Sequence, residues 1–327
     1  MLGPQDVGHR VVVRRIVGVQ GNRPLLSDAL GELLELDSTG LTVATRHGPV
    51  RIGHDTIQAA KRVPPRTIDV ATLERLATAA WPAPDVETLG EWTLRAAGGW
   101  TGRANSAMPT GDPGMPLDAA IEAVTAWYQA RGLAPRMNVP LPLCADLDAA
   151  LDAHGWTRSL PSLVQTAPIS AVLAATTDRP DLPPVRLDPT PDDAWLAVVD
   201  RRKGGLPDAA RHVLTAARLV RCASVDGAVD ETEAETETEA VAVARGAVVR
   251  DFLHLALVEV AEPARGRGLA QHVTRALVQW GRSAGAGTAF LQVEAHNTAA
   301  VGLYAKLGFT THHEYVTRTA TQHGYST

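Results

Sequence analysis

The clearest pattern of apolar and polar positions runs from Phe252 to Phe309. Phe252 to Val260 is a short run rich in Leu and Val, as a buried strand requires. Pro263 stops that ladder, because proline has no N–H to donate. Leu269, Val273, Ala276, Leu277 and Trp280 then recur at helical spacing, and small residues from Ser283 to Gly287 end the helix. Ala289 to Val293 reads as a second strand. Asn297 suits the N-cap of a second helix carrying Val301 and Tyr304, and Gly308 suits the left-handed residue after it. The pattern predicts strand, helix, strand, helix.

The rest of the chain divides by its punctuation. Residues 1–65 show short β-rich runs at Arg10–Val17, Gly31–Asp37, Leu41–Thr45 and Val50–Ile52, with hairpin turns at 37–40 and 46–48. The tail Val50–Ile57 resembles the late strand and one-turn helix of an SH3-like barrel. Such barrels bind peptides or nucleic acid, and Arg14, Arg15, Arg46, Lys61 and Arg62 are the residues available for that; a plain structural appendage is the alternative. Val63-Pro64-Pro65 is the expected linker. Residues 66–180 read as mixed α and β, with helices at Ala71–Ala80, Leu117–Arg131 and Asp148–His154 and a strand at Trp92–Ala97. A second linker spans Pro180–Pro191. Helices at Asp192–Val199 and Ala209–Ala217 and strands at Arg218–Val225 and Ala240–Val249 then lead into Phe252. The acidic run 226–239 can build no core, because its like charges repel. Thr311–Thr319 is the last strand expected.

Composition narrows the class. The chain has 327 residues, 45% of them apolar, so two or three cored domains are expected. Net charge is −5 with basic residues dispersed, which gives no electrostatic case for nucleic acid as a partner. Cys144 and Cys222 fit no metal spacing and no disulfide framework, so a cytoplasmic protein without a metal is expected. No apolar run is long enough to span a bilayer and no signal peptide is legible, so no membrane association is expected. A homodimer stays open.

The chemistry begins at Arg265-Gly266-Arg267-Gly268-Leu269-Ala270. A strand, a glycine-rich turn and a helix N-terminus make an anion site, because the first-turn N–H groups point outward with the helix dipole behind them. Gly266 and Gly268 let a phosphate approach the backbone. The spacing is neither the GxGxxG dinucleotide fingerprint nor a Walker A loop. The anion is therefore a phosphate group of something other than a nicotinamide cofactor or ATP.

Arg265-x-x-Gly268-x-Ala270 resembles the acyl-CoA pyrophosphate motif (Arg/Gln-x-x-Gly-x-Gly/Ala) of the GNAT N-acetyltransferases. Asn297, Tyr304 and Leu307-Gly308-Phe309 match that superfamily's next landmarks in order. The strong part of the match covers about 241–318. It implies a mixed-sheet α/β GNAT fold at 181–327, with acetyl-CoA as co-substrate and direct transfer of the acetyl group to a primary amine, on a small molecule or a peptide. Val258, Glu259 and Val260 would take the pantetheine arm and the acyl carbonyl. Residues 265–270 and Asn297 would complete the acyl-CoA site, and Tyr304 would protonate the leaving thiolate. Where some relatives carry a glutamate base, this chain has Gln292. Glu259 is the first candidate for the base, with Glu294 and His254 as alternatives. Gly155-Trp156, closing the 148–154 helix, echoes the Leu-Gly-Phe element, so 66–180 is expected as a degenerate GNAT-like lobe in a tandem-like chain. Its loop 98–105 offers Trp100, Arg103 and Asn105 as acceptor contacts. The alternative function is an acyl-CoA-binding or interaction protein without turnover, with the barrel as its working module.

Overall fold

The computed structural model describes residues 2–21, 23–45, 47–63, 68–203, 205–227 and 239–321. Arg46, the Pro64-Pro65 linker and residues 228–238 of the acidic run lie outside these.

The first sheet is an antiparallel meander of β1 (Arg10–Gln20), β2 (Arg23–Leu36), β3 (Gly40–Thr45), β4 (Gly48–Gly53) and β5 (Ile57–Arg62). Its strand order is β4-β3-β2-β1-β5, and a one-turn helix at His54–Thr56 precedes β5. Val11, Val13, Ala29, Leu33, Leu41, Val43 and Ile52 fill its core. The expected SH3-like barrel is not closed: β4 and β5 are both edges, and no ladder joins them among the described residues. The hairpin β1–β2 is also longer than the sequence predicted. Arg23 to Leu30 carries no alternating signal because nearly all of that stretch faces solvent, Leu25, Leu26 and Leu30 included.

After it come α1 (Val70–Ala80), the hairpin β6 (Asp85–Leu89) and β7 (Trp92–Ala96), α2 (Leu117–Gln129), β8 (Arg136–Leu141), α3 (Ala145–Ala153), β9 (Thr157–Arg158), β10 (Ser162–Pro168) and α4 (Ile169–Ala174). The second half holds β11 (Arg186–Asp188), α5 (Asp193–Lys203), α6 (Asp208–Thr215), β12 (Leu219–Gly227), β13 (Glu239–Val249), β14 (Phe252–Val260), α7 (Leu269–Ser283), β15 (Thr288–Glu294), α8 (Thr298–Lys306) and β16 (Thr310–Thr319).

One mixed sheet unites both halves, in the order β11-β12-β13-β14-β15-β10-β16-β8, with β9 also on β16. Residues 66–180, expected as a lobe of their own, supply β8, β9 and β10 to it. β10 lies between β15 and β16, pairing antiparallel with each. β8 ends in Pro140-Leu141 on the outer side of β16, an edge position that tolerates proline.

Helices cover both faces of the sheet. On one face α1, α5 and α6 bury Leu73, Leu76, Trp195, Val199, Val213 and Leu214 against Phe252, Ala256 and Phe290. On the other, α4, α7 and α8 bury Val172, Leu269, Val273, Leu277 and Tyr304 against Leu253, Leu255 and Leu291. Each fully buried aliphatic here contributes about 1.5–3 kcal/mol. This two-sided cover explains why β13 is buried at nearly every position and reads as a continuous apolar run.

Candidate active site

The site starts where two neighbouring strands part. β14 and β15 run parallel and pair only from Phe252–Thr288 to Leu255–Leu291. Beyond that point β14 stays with β13 while β15 stays with β10. A bulge at Leu257, with φ of 53°, turns β14 away from its neighbour. A left-handed leucine is strained, and such strain gathers at functional sites. The gap is a cleft of about 310 Å³ lined by Ala256, Leu257, Val258, Glu259, Gln292 and Glu294, with Asn297, Ala300 and Tyr304 on one side and Arg103, Ser162 and Tyr315 on the other.

At one end of β14 the chain passes Glu262–Ala264 and enters α7 through Gly266 (φ 79°) and Gly268 (φ 86°). Gly268 is the N-cap and provides no side-chain acceptor, so the first-turn N–H groups of α7 stay available. A Cβ on Gly266 would meet nothing within 4 Å; one on Gly268 would lie 2.7 Å from Nη1 of Arg179. Arg265 and Arg267 are exposed beside this turn, and Arg179 is ion-paired with Asp181 at 2.6 Å. Leu269 is buried and anchors the helix, and Ala270 is half-buried. The open glycine backbone, the uncapped dipole and three guanidinium groups fit a pyrophosphate. Arg179 carried no local signal, since it precedes a stretch that reads as linker.

α8 begins at Asn297, whose side chain accepts from the Ala300 N–H at 3.2 Å. Two turns on, Tyr304 lines the cleft, packed edge-on to Phe309. Burial, with a smaller contribution from the charge of Glu259, holds its phenol above the ordinary value. Val258 and Val260 pack toward the α7–α8 side of the sheet. Glu294 is exposed and 3.4 Å from His296.

The opposite wall comes from the first half of the chain. Arg103 donates through Nη1 to Gln292 Oε1, lies 3.2 Å from His254 Nε2, and stands 4.9 Å over the ring of Trp81. His254 is fully buried and is also 2.9 Å from Gln292 Oε1. Burial first, then the nearby Arg103 and Arg245 charges, push its imidazole well below the ordinary value. It is a neutral member of the sheet and does not line the cleft. Trp100 is buried too, stacked on Trp81 with centroids 5.8 Å apart. Asn105 accepts from the Ala97 and Gly99 N–H groups and donates to the Trp100 and Thr101 carbonyls. Of the three expected acceptor contacts, only Arg103 reaches the cleft; Trp100 and Asn105 shape the loop that holds it. Trp81, Asn138, Ser162, Tyr315 and Thr317 also line the cleft, and no local motif marks them.

A larger cavity of about 1290 Å³ lies between the first sheet and α4, lined by His9, Arg15 and Glu32. It contains none of the motif residues, so the chemistry is assigned to the smaller cleft.

A sheet split beside a glycine turn, with a tyrosine-bearing helix after the next strand, defines a GNAT-type acetyltransferase. A solved GCN5-related N-acetyltransferase from Kribbella flavida shares the fold over 78% of this chain and 95% of its own, with a TM-score of 0.56 at 15% identity. Residues 67–317 match the family described as "Probable histone acetyltransferase Rv0428c C-terminal", and the chain belongs to that family. The probable histone acetyltransferase Rv0428c of Mycobacterium tuberculosis is 32% identical over 330 aligned positions, 96% of this chain and 95% of that protein. The uncharacterized N-acetyltransferase YobR of Bacillus subtilis is 31% identical over 245 residues, 74% of this chain and 94% of its own. The fold implies an acyl-CoA as co-substrate. No helix among the described residues is long and apolar enough to cross a membrane.

Proposed function

We propose that this chain transfers an acetyl group from acetyl-CoA directly to a primary amine held in the cleft between β14 and β15. The observation that carries the reading is the parting of these strands, which gathers Val258, Glu259, Asn297 and Tyr304 around one gap. Acetyl-CoA would supply the activated thioester; the rest is the work of this chain's own groups. The N-terminus of α7, Arg265, Arg267 and Arg179 hold the pyrophosphate. The backbone of Val258 to Val260, released from β15, provides N–H donors for the developing oxyanion. Tyr304, kept protonated by burial, donates its proton to the departing thiolate. Glu259, close enough to Tyr304 for its charge to be felt there, accepts the proton of the attacking amine.

A covalent route through cysteine has little support. Burial pushes the thiols of Cys144 and Cys222 up to about 11 and about 12, far from the thiolate a nucleophile needs. The names borne by the relatives, N-acetyltransferase and probable histone acetyltransferase, support the same reaction class.

The test is calorimetric titration with acetyl-CoA of the wild-type protein and of Gly268→Glu. Binding should be present in the first and absent in the second, because the glutamate puts bulk and negative charge where the pyrophosphate belongs. Equal binding by both would move the co-substrate off this loop. Binding without release of free CoA thiol in the presence of any amine would favour the non-catalytic acyl-CoA-binding reading.

A further inference from the structure

Three arginines are largely withdrawn from water beside the cleft, and they differ in what surrounds them. Arg245 is fully buried and donates to the carbonyls of Leu214, Ala80 and Val213. Arg95 is buried and donates to the Ser106 carbonyl, Ser106 Oγ and Thr78 Oγ1. Arg103 uses one nitrogen, Nη1, toward Gln292 and His254. It has no ion pair among the described residues. The carboxylate whose field reaches it, Glu74, is committed to His313 at 2.7 Å. A cation in a poorly solvated place is costly unless an anion faces it, and burial already pulls this guanidinium below its ordinary value.

The surroundings of Arg103 suit an anion from outside the chain. Trp81 holds the guanidinium from one side. The wall around it is polar and uncharged: Ser162, Tyr315, Asn138 and Thr317. Burial holds the Tyr315 phenol protonated. Two carboxylates also line the cleft, Glu259 on β14 and Glu294 on β15; the latter stands two residues from Gln292 and 3.4 Å from His296. The cleft therefore brings a guanidinium and carboxylates together within about 310 Å³. That volume is at the small end of small-molecule pockets.

We propose that the acetyl acceptor is a small amine that carries a carboxylate, and that Arg103 binds this carboxylate through its planar guanidinium while the amine lies toward Glu259. The inference rests on the reading of the cleft as the acceptor site. A guanidinium matches a carboxylate with two parallel N–H donors, which fixes orientation as well as charge. Arg103 is thus a substrate-binding residue that selects the acceptor, and a lysine-rich peptide is the wrong complement to it.

The test compares acceptors that differ only in that group. Wild-type protein with acetyl-CoA is given free amino acids and β- and γ-amino acids, each beside its carboxamide, and separately a lysine-rich peptide; release of CoA thiol is the readout. The carboxylate forms should show KM values at least about ten-fold below the amides. Arg103→Gln should collapse that preference to about one, and Arg103→Lys should restore part of it; a thermal melt of each variant reports folding. Equal use of acids and amides, or a peptide preferred over both, overturns the proposal while leaving acetyl transfer intact. Acetyl-CoA bound by calorimetry with no carboxylate-bearing amine turned over also overturns it. Failure of wild-type protein to bind acetyl-CoA would instead remove the acetyltransferase reading beneath it.

Discussion

Glu74 Oε1 lies 2.7 Å from Nε2 of His313, and neither side chain is more than 2% exposed. The contact ties α1 to β16 across the chain and continues outward. His313 Nδ1 is 2.8 Å from His312 Nδ1, and His312 Nε2 is 2.8 Å from the Ile68 carbonyl. The carbonyl can only accept, so His312 Nε2 bears its hydrogen. The three contacts then need three hydrogens, one more than two neutral imidazoles and a carboxylate possess. Glu74→Leu should destabilise the fold by about 3–5 kcal/mol, the usual consequence of breaking one partner from a buried pair. Glu74→Gln should stay within about 1 kcal/mol, because its amide supplies the third hydrogen without a charge. Urea denaturation of the three proteins decides this; equal losses in both variants would refute the hydrogen count.

Tyr304→Phe removes one hydroxyl from the cleft wall and leaves the ring packed on Phe309. Its kcat should fall by about 100-fold or more, the usual effect of deleting a general acid, while affinity for acetyl-CoA stays the same. Stopped turnover with unchanged calorimetry is the expected pair of results. A kcat within a factor of two of wild type would exclude the phenol as proton donor.

Arg179 marks a test of the pyrophosphate site proposed at the Gly266–Gly268 turn that no motif suggested. Arg179→Ala should weaken acetyl-CoA binding by about ten-fold, about 1.4 kcal/mol, and should reduce the sensitivity of that affinity to added salt. An acetyl thioester of pantetheine alone, which carries no phosphate, should bind wild type and variant alike. Titrations at low and high salt check both points. An unchanged salt dependence would show that Arg179 serves only Asp181.

Glu32 sets a pH dependence in the first sheet. Burial raises its carboxyl from 4.5 to about 7, against a smaller opposing pull from Arg282. The folded chain therefore keeps a proton that the unfolded chain releases as pH climbs through that interval. Folding stability should fall as pH rises from about 4.5 to 7 and level off above, by up to about 3 kcal/mol in total. Glu32→Gln should flatten this segment of the stability curve and raise the melting temperature at pH 8. A curve of the same slope in the variant would assign the effect elsewhere.

What was legible in the sequence is what is local. The turn at Gly266 and Gly268, the helix after it and the Asn297 cap lie within one strand–helix–strand–helix unit, and each announces itself through spacing or backbone need. β8 and β10 were not legible. RMNVPL and SLVQTAP are short, end at or near proline and show no clean alternation, and only their placement against β16 and β15 makes them strands. Arg103 was singled out for lying in a glycine-rich loop, yet so were Trp100 and Asn105. Nothing in the loop's sequence says that the tryptophan stacks inward on Trp81 or that the asparagine closes the loop on itself. The closure of a barrel over 1–65 failed for a related reason: the meander and its one-turn helix are local, whereas pairing of the first and last edges is not.

The place of β10 governs how the enzyme can come into being. Its strand is synthesised well before either of its neighbours, β15 and β16. The half that bears the glycine turn cannot complete its own sheet, and the half that bears Arg103 has its β10 unsheathed until then. A nascent chain therefore carries no finished cleft until β15 and β16 have been made. The two halves are not cassettes that evolution or an engineer could exchange one at a time; a graft that replaces one must replace the strand it lends to the other.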